Sequence, residues 1–296
     1  MAAAIEVSGL RKAYGSRMAL VGLDFQVEEG EVFALLGPNG AGKTSTVEIL
    51  EGFRSRDGGT VGVLGFDLRD RERGLRERIG IVLQETALDP FLTVAETVEL
   101  LGQCYPRRRE AGDVLALVGL TEQRDVRVRS LSGGQRRRVD VAVALVGDPD
   151  LIFLDEPTAG LDPAARIGAW EAIRGLARSG TTVLLTSHYL EEVQQLADRV
   201  AVICGGRVIA EGSPATIGGR AGRPATIRFR VAPGLTPPLG EPVGEGTIEL
   251  VTHDPTSSLH RLTSWALGRG GSLDDLEVTH PSLEEVYPEL TREPSP

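Results

Sequence analysis

One nine-residue stretch, GPNGAGKTS from Gly37 to Ser45, constrains the fold of this chain more than any other feature. It follows the apolar run VFALL and opens the helix-like segment TSTVEILEG, which Gly52 closes. Strand, glycine-rich loop and helix in that order match the pattern GxxxxGK[ST]. Glycines let successive backbone N–H groups turn toward a polyphosphate without a Cβ in the way, and the helix that follows points its positive end at the same anion. The candidate cradle is Gly37, Pro38, Asn39, Gly40, Ala41, Gly42, Lys43, Thr44 and Ser45. Lys43 is placed to reach the β and γ phosphates as a compact charge on a flexible stem, and Thr44 to put its hydroxyl on Mg²⁺.

Lys43 stands out because the chain avoids lysine. Its 32 basic residues include only Lys12 and Lys43, leaving 30 arginines. A guanidinium is a wide planar fork that does not fit a loop wrapped tightly around phosphate, so the two cations are not interchangeable at this position.

Further runs rich in Val, Ile and Leu, namely RIGIVL, DLIFLDEP, TTVLLTS and RVAVICGG, lack polar alternation and lie between helical stretches. They read as strands buried on both faces, which gives an α/β fold with a largely parallel sheet. LIFLDEP ends in two acids about 110 residues after the glycine loop. Ligands of open α/β sheets sit at the carboxyl ends of the strands, where Asp155 would hold Mg²⁺ mainly through water and Glu156 would orient or deprotonate an attacking water. An Asp-Glu pair at a strand end also fits a plain solvated turn; the glycine loop favours the first reading. A second anion cradle is LSGGQ, where Ser132 and the backbone of Gly133 and Gly134 stand at a helix start ahead of Gln135.

Between Gln84 and Arg129 the texture becomes helical, and an insertion of helices is expected over residues 85–150. After EGSPATIGGRAGRP the pattern restarts with ATIRFRVA, a Pro- and Gly-rich loop from Pro233 to Gly246, TIELVT, a helix-like SSLHRLTSWALGRG, LDDLEVT and a helix-like SLEEVYPEL. Two domains are expected, 1–218 and a small α+β accessory domain, 219–296.

The formal net charge of -10 opposes non-specific attraction to nucleic acid or anionic lipid. The runs Arg107 to Arg109 and Arg136 to Arg138 are short enough to be solvated faces, and no nucleic-acid partner is expected. The two cysteines, Cys104 and Cys204, have neither metal-ligand spacing nor companion histidines. No stretch reaches the ~18 apolar residues of a membrane-spanning helix.

The order GPNGAGKT, Gln84, LSGGQ, LIFLDEP, AGLD and His188 closely resembles the nucleotide-binding subunit of ATP-binding cassette (ABC) transporters over about the first 215 residues. The resemblance implies a cassette of RecA-like parallel-sheet core, antiparallel β subdomain and helical subdomain, with ATP and Mg²⁺ as ligands. By the same resemblance Tyr14 stacks on adenine, Gln84 senses Mg²⁺ and water while linking to the permease, and Asp162 contacts the opposite subunit. His188 sits beside the γ-phosphate, and LSGGQ completes the site of a second cassette, most simply a copy of this chain. Catalytic roles fall on Glu156, His188, Gln84 and Lys43, and metal binding on Thr44, Gln84 and Asp155.

THPSLEEVYPELT resembles the ending of daunorubicin-type exporter ATPases, with SLEEVY close to that subfamily's Ser-Leu-Glu-Asp-Val-Phe pattern. This implies an ATPase on the cytoplasmic face of the cell membrane, held there by a separate permease that exports a drug, antibiotic or lipid-like compound. The alternatives are an importer ATPase, or a soluble cassette acting on nucleic acid or ribosomes. Pro288 departs from the subfamily pattern and is expected to strain or end the last helix. Ser45 and Ala159 are smaller departures that remove no catalytic group.

Overall fold

The computed structural model describes residues 3–68, 73–82, 88–232, 235–244 and 246–291. They form two compact units, Met1–Pro214 and Ala215–Pro296.

The first unit begins with two long strands, β1 (Ala3–Tyr14) and β2 (Arg17–Glu28), followed by β3 (Val32–Leu36), α1 (Lys43–Leu50), β4 (Gly58–Val63), β5 (Phe66–Asp67), α2 (Arg73–Arg76) and β6 (Ile79–Val82). A helical stretch follows with α3 (Val94–Gly102), α4 (Ala111–Leu117) and α5 (Gly133–Val146). The unit ends with β7 (Leu151–Asp155), α6 (Pro163–Arg178), β8 (Thr182–Ser187), α7 (Leu190–Leu196), β9 (Arg199–Cys204) and β10 (Arg207–Gly212).

Two sheets result. The antiparallel one has the order β2-β1-β4-β5, and the other has the order β10-β9-β3-β8-β7-β6. Within the second, β9, β3, β8, β7 and β6 run parallel, and β10 closes the edge as an antiparallel hairpin partner of β9. Every residue of β3 and β8 is buried, and β7 is buried up to its last residue, as unbroken apolar runs require in a sheet covered on both faces. The antiparallel sheet packs on the parallel one through a shared core that includes Ile5, Leu23, Phe33, Leu50, Phe153 and Leu184. The Phe25 and Phe33 rings stack across that junction at 5.7 Å. Each fully buried side chain of this size stabilises by roughly 1.5–3 kcal/mol, which makes the junction a rigid mount for the loops at the strand ends.

Capping fixes where the helices begin. Thr93 starts α3 and Ser132 starts α5, each through a reciprocal capping box with Glu96 and Gln135. Asp162 caps α6, and Pro163 fills its first position, where no N–H is needed. Helix α3 lies so close to α5 that a Cβ on Gly102 would stand 2.9 Å from Val146.

The second unit is a four-stranded antiparallel sheet, formed by β11 (Ala225–Arg230), β12 (Glu241–Gly244), β13 (Thr247–Thr252) and a later strand β14 (Asp274–Thr279), in the order β12-β13-β11-β14. Helix α8 (Pro255–Leu267) precedes β14, and α9 (Leu283–Leu290) follows it. Ile227, Phe229, Ile248 and Leu262 form its core. Two expectations are corrected here. The Pro- and Gly-rich stretch expected as loop contains β12, because Glu241, Pro242 and Gly244 find partners on β13. Pro288 does not end α9, which continues to Leu290; near a helix end the missing N–H forfeits a single bond.

The two arginine runs are not solvated faces throughout. Arg107 and Arg109 are paired with Asp148, and Arg107 also with Asp150. Among the described residues no helix is long and apolar enough to cross a membrane.

Helix α1 ends at Glu51, whose burial pushes its carboxyl up to about 8 from 4.5, with Asp155 and Glu48 adding to the rise. Below pH 4.5 both the folded and unfolded forms carry the proton; between 4.5 and about 8 the unfolded chain releases a proton that the folded chain keeps. Stability conferred at this position therefore falls as pH rises through that window. Glu51→Gln should flatten this loss, so the advantage of the variant in chemical denaturation grows from about pH 5 to about pH 8. Parallel stability curves for the two proteins would show that Glu51 is not buried as described.

Candidate functional site

The loop after β3 is shaped by what surrounds it. A Cβ on Gly37 would lie 2.3 Å from the Ile203 carbonyl of β9, so the chain leaves the sheet pressed against its neighbour. Gly42 has φ 111° and caps α1, and a Cβ there would meet Leu20 at 2.5 Å. Both the backbone conformation and the crowding require glycine. No side chain caps α1, so the helix presents its unshared first-turn N–H groups at the loop. Ala41 is buried beneath the turn, while Pro38, Asn39, Gly40 and Thr44 are exposed.

Lys43 is buried, and its Nζ donates to the carbonyls of Gly37 (2.6 Å) and Pro38 (3.2 Å). Burial lowers its pKa, while the Glu156 and Asp155 carboxylates act to raise it. The ammonium is thus held by the loop that it serves, with both acids close enough to be felt. A cleft of about 410 Å³ opens here, lined by the loop residues Asn39, Gly40 and Gly42 to Ser45, by Tyr14, Arg17 and Ala19, and by Asp155 and Glu156. A larger hollow of about 820 Å³ lies over the antiparallel sheet, but Glu6, Asp24, Asp67 and Glu211 line it against the single cation Arg199. That charge balance repels a polyphosphate, and the smaller cleft is the candidate site.

The two acids reach the cleft by a local device. Strand alternation would send Asp155 and Glu156 to opposite faces. Glu156 instead has φ 46°, a left-handed turn that costs a non-glycine residue about 1 kcal/mol or more. Thr186 on β8 holds this turn. Its hydroxyl donates to Asp155 Oδ1, and the Glu156 N–H donates to both the hydroxyl and the carbonyl of Thr186, each at 3.2 Å. His188, just beyond β8, places Nδ1 2.9 Å from Glu156 Oε1. Its ring lies 4.1 Å from that of Tyr189.

Tyr14 stands at the end of β1 with its hydroxyl 3.0 Å from Ser45 Oγ. The Arg54 guanidinium lies 5.2 Å from the centre of its ring and Lys12 Nζ 5.8 Å. Lys12 is buried and pairs with Asp57 at 2.9 Å, while the second oxygen of Asp57 accepts the Ala13 N–H at 2.7 Å. The second lysine of the chain therefore fixes the strand end that presents Tyr14.

Thr44 and Asp155 offer a hydroxyl and a carboxylate to the same cleft. Such hard oxygen donors suit Mg²⁺, which takes few protein ligands and fills its octahedron with phosphate and water oxygens. No cluster of three His, Cys, Asp or Glu able to hold a metal occurs among the described residues.

The predicted site residues fall into two groups. Tyr14, the loop from Asn39 to Ser45, Asp155, Glu156 and His188 come together. Ser132, Gly133, Gly134, Gln135 and Asp162 line no part of the cleft. Ser132 Oγ accepts the Gln135 N–H at 3.2 Å as the cap of α5, and Asp162 Oδ1 accepts the Ala165 N–H at 2.9 Å as the cap of α6. Gly134 is pressed on α6, where a Cβ would lie 3.2 Å from that of Ala165. Gln84 lies outside the described residues. Sequence reasoning passed over Thr186, whose only signal was a polar residue ending an apolar strand two positions before His188, and Arg17, which is an arginine among many until it lines the cleft.

Comparison with known proteins identifies the family. The pattern of the ABC transporter family matches residues 20–159, and that of the C-terminal domain of ABC transporter domain-containing protein-like chains matches residues 225–282. The daunorubicin/doxorubicin resistance ATP-binding protein of Streptomyces peucetius is 39% identical, covering 99% of this chain and 93% of that protein. Nod factor export ATP-binding protein I of Ralstonia nicotianae is 44% identical over 71% of this chain and 67% of its own length. Among solved structures, cbiO1 from Clostridium perfringens, part of the ABC transporter complex cbiONQ, superposes with a TM-score of 0.67 at 30% identity over 73% of this chain and 90% of that one. A dimeric bacterial ABC transporter cassette gives 0.63 at 27% identity over 71% and 98%. With a phosphate loop, a carboxylate pair and a capped LSGGQ helix on the cassette fold, and with relatives alike along nearly its whole length, the chain belongs to the ABC transporter family as an ATP-binding, ATP-hydrolysing subunit.

Proposed function

We propose that two copies of this chain sandwich two ATP molecules head to tail and that their closure and reopening drive export of a drug-like or lipid-like compound through a separate membrane permease. One observation supports this reading above others. The chain carries two helix starts suited to an anion, those of α1 and α5, and the second lines no part of the cleft that holds the first. A single chain therefore leaves Ser132 and Gly134 without a phosphate to meet, and a second copy in antiparallel orientation supplies one. The solved dimeric cassette with a similar fold is consistent with such an assembly. Export follows the relatives, which are named for drug resistance and Nod factor export. Arg107 pairs with Asp148 and Asp150 and Arg109 with Asp148, so two of the three arginines in that run are engaged within the chain, which favours the transporter reading over a nucleic-acid role.

In the bound state Tyr14 stacks on the adenine, and the loop N–H groups and Lys43 hold the phosphates. Glu156 accepts a proton from the water that attacks the γ-phosphorus, the bond to the β–γ bridging oxygen breaks, and ADP leaves with the electron pair. His188 holds the Glu156 carboxylate in line by the contact at Oε1 and stands beside the γ-phosphate. Thr44 and Asp155 would hold Mg²⁺, with Gln84 joining them by the family resemblance, and the ion would supply neutralisation of charge on the phosphates. Ordering by ATP in the closed state alone gives the ligand its leverage on a two-state assembly. The subunit works at the inner face of the membrane, where its permease anchors it.

Lys43→Arg, which keeps the charge, should lower ATP turnover by about 100-fold or more, because a wide planar fork enters a buried slot made for a single ammonium. Phosphate release at an unchanged melting temperature checks this; near-normal turnover would show that charge alone suffices. Glu156→Gln should lower turnover by about 10²–10⁴-fold while ATP converts the chain from monomer to dimer in size-exclusion chromatography. Undiminished hydrolysis would remove Glu156 from its role, and a chain that stays monomeric with ATP would sink the sandwich.

A further inference from the structure

The run Arg136 to Arg138 divides three ways. Arg136 faces solvent, and Arg138 donates Nη1 to the Gly119 carbonyl at 3.0 Å. Arg137 turns inward, with 12% of its side chain exposed. Its Nη2 donates to the carbonyl of Asp155 at 2.9 Å and its Nε to that of Pro157 at 3.3 Å. Those two carbonyls flank Glu156, the residue in the left-handed turn. Fixing the peptide that enters Glu156 and the one that leaves Pro157, whose ring limits its own backbone, restrains the rotations that aim the Glu156 carboxylate. The task needs two donors at a fixed angle, which a guanidinium has and an ammonium lacks.

The surroundings extend the connection. Arg137 Nη1 lies 3.9 Å from Asp140 Oδ2, and burial lowers the guanidinium pKa against the opposing pull of Asp140, Asp155 and Glu192. Glu192, fully buried on α7, accepts from Thr158 Oγ1 at 2.6 Å and from Trp170 Nε1 at 3.3 Å. The segment from Asp155 to Thr158 is thus gripped from α5 by Arg137 and from α7 by Glu192. Helix α7 begins two residues after His188. At the other end, Arg137 is five residues beyond Ser132, about 7.5 Å along one rigid helix. Gly134 adds a second contact, packed on Leu161 and Ala165 just past the same turn.

We propose that Arg137 is a positioning residue linking the LSGGQ helix start of each chain to Glu156 of that same chain, and so coupling the two ATP sites of the dimer. This rests on the sandwich reading. In it, Ser132 of a chain touches one ATP while Glu156 of that chain serves the other. Movement of α5 on one nucleotide is passed through Arg137 to the carboxylate acting on the second. The coupling is a free energy shared between sites and is reciprocal for binding.

The test is phosphate release as a function of ATP concentration, in the presence of Mg²⁺, for Arg137→Met, Arg137→Lys and Arg138→Met. The wild-type chain should show a Hill coefficient above 1. Arg137→Met should lose about tenfold or more in kcat, change KM by less than about threefold because Lys43 and Tyr14 are untouched, and drop to a Hill coefficient of about 1. Arg137→Lys should recover part of kcat but not the cooperativity, and Arg138→Met should keep both. Should the methionine variant not fold by thermal melting, Arg137→Gln, which retains an amide donor, takes its place. Wild-type kcat in Arg137→Met would overturn the positioning role, and a lost kcat with wild-type cooperativity would overturn the link between sites. If Glu156→Gln dimerises with ATP, either failure belongs to Arg137 alone; if it does not, the sandwich fails and the link with it.

Discussion

The site depends on the pairing of β8 between β3 and β7. Parallel register sets Leu36 beside Ser187 and Thr186 beside Asp155, so the phosphate loop, the carboxylates and His188 leave the sheet at one edge. Thr186 converts that alignment into chemistry, since its hydroxyl and carbonyl together hold Asp155 and the strained turn at Glu156. A strand register is strongly specified only where burial punishes a slip, and β3 and β8 are buried at every position. The apolar runs that make the sheet are therefore also what positions the polar site.

Charge is distributed with similar economy. A chain of net charge -10 places many of its arginines on carbonyl oxygens and acids inside its own structure, as Arg137, Arg107 and Arg109 show. Lysine is confined to two places that need a compact ammonium in a confined setting. Lys43 is folded into the loop it completes, and Lys12 is paired with Asp57 under the strand end that carries Tyr14. Both lysines thus serve one cleft, the first directly and the second through the backbone.

Legibility in the sequence followed the range of the interactions. GPNGAGKTS and LIFLDEP were readable because loop, strand end and helix start are local patterns, and LSGGQ was readable as a helix start for the same reason, though not as the capping box that Ser132 and Gln135 form. The parallel sheet could be read from its unbroken apolar runs. What escaped depends on partners far away in the chain. Thr186 acquires meaning from Asp155 on the neighbouring strand, and Arg137 from carbonyls 18 and 20 residues on. The arginine runs looked like solvated faces because adjacency says nothing of the acids that fold against them. β12 was hidden by its proline and glycine, which a short edge strand tolerates. The left-handed turn at Glu156 gives no sequence signal, since glutamate is an unusual residue to hold one.

The central claim is that each ATP site is built from two chains, Lys43 and Glu156 from one and Ser132 from its partner. The most direct measurement mixes two variants that are each inactive, Lys43→Ala and Ser132→Arg, and follows phosphate release. In a mixed dimer one site carries both lesions and the other carries neither, so random pairing of equal amounts should restore up to about a quarter of wild-type turnover. A mixture no more active than its two components would contradict the claim.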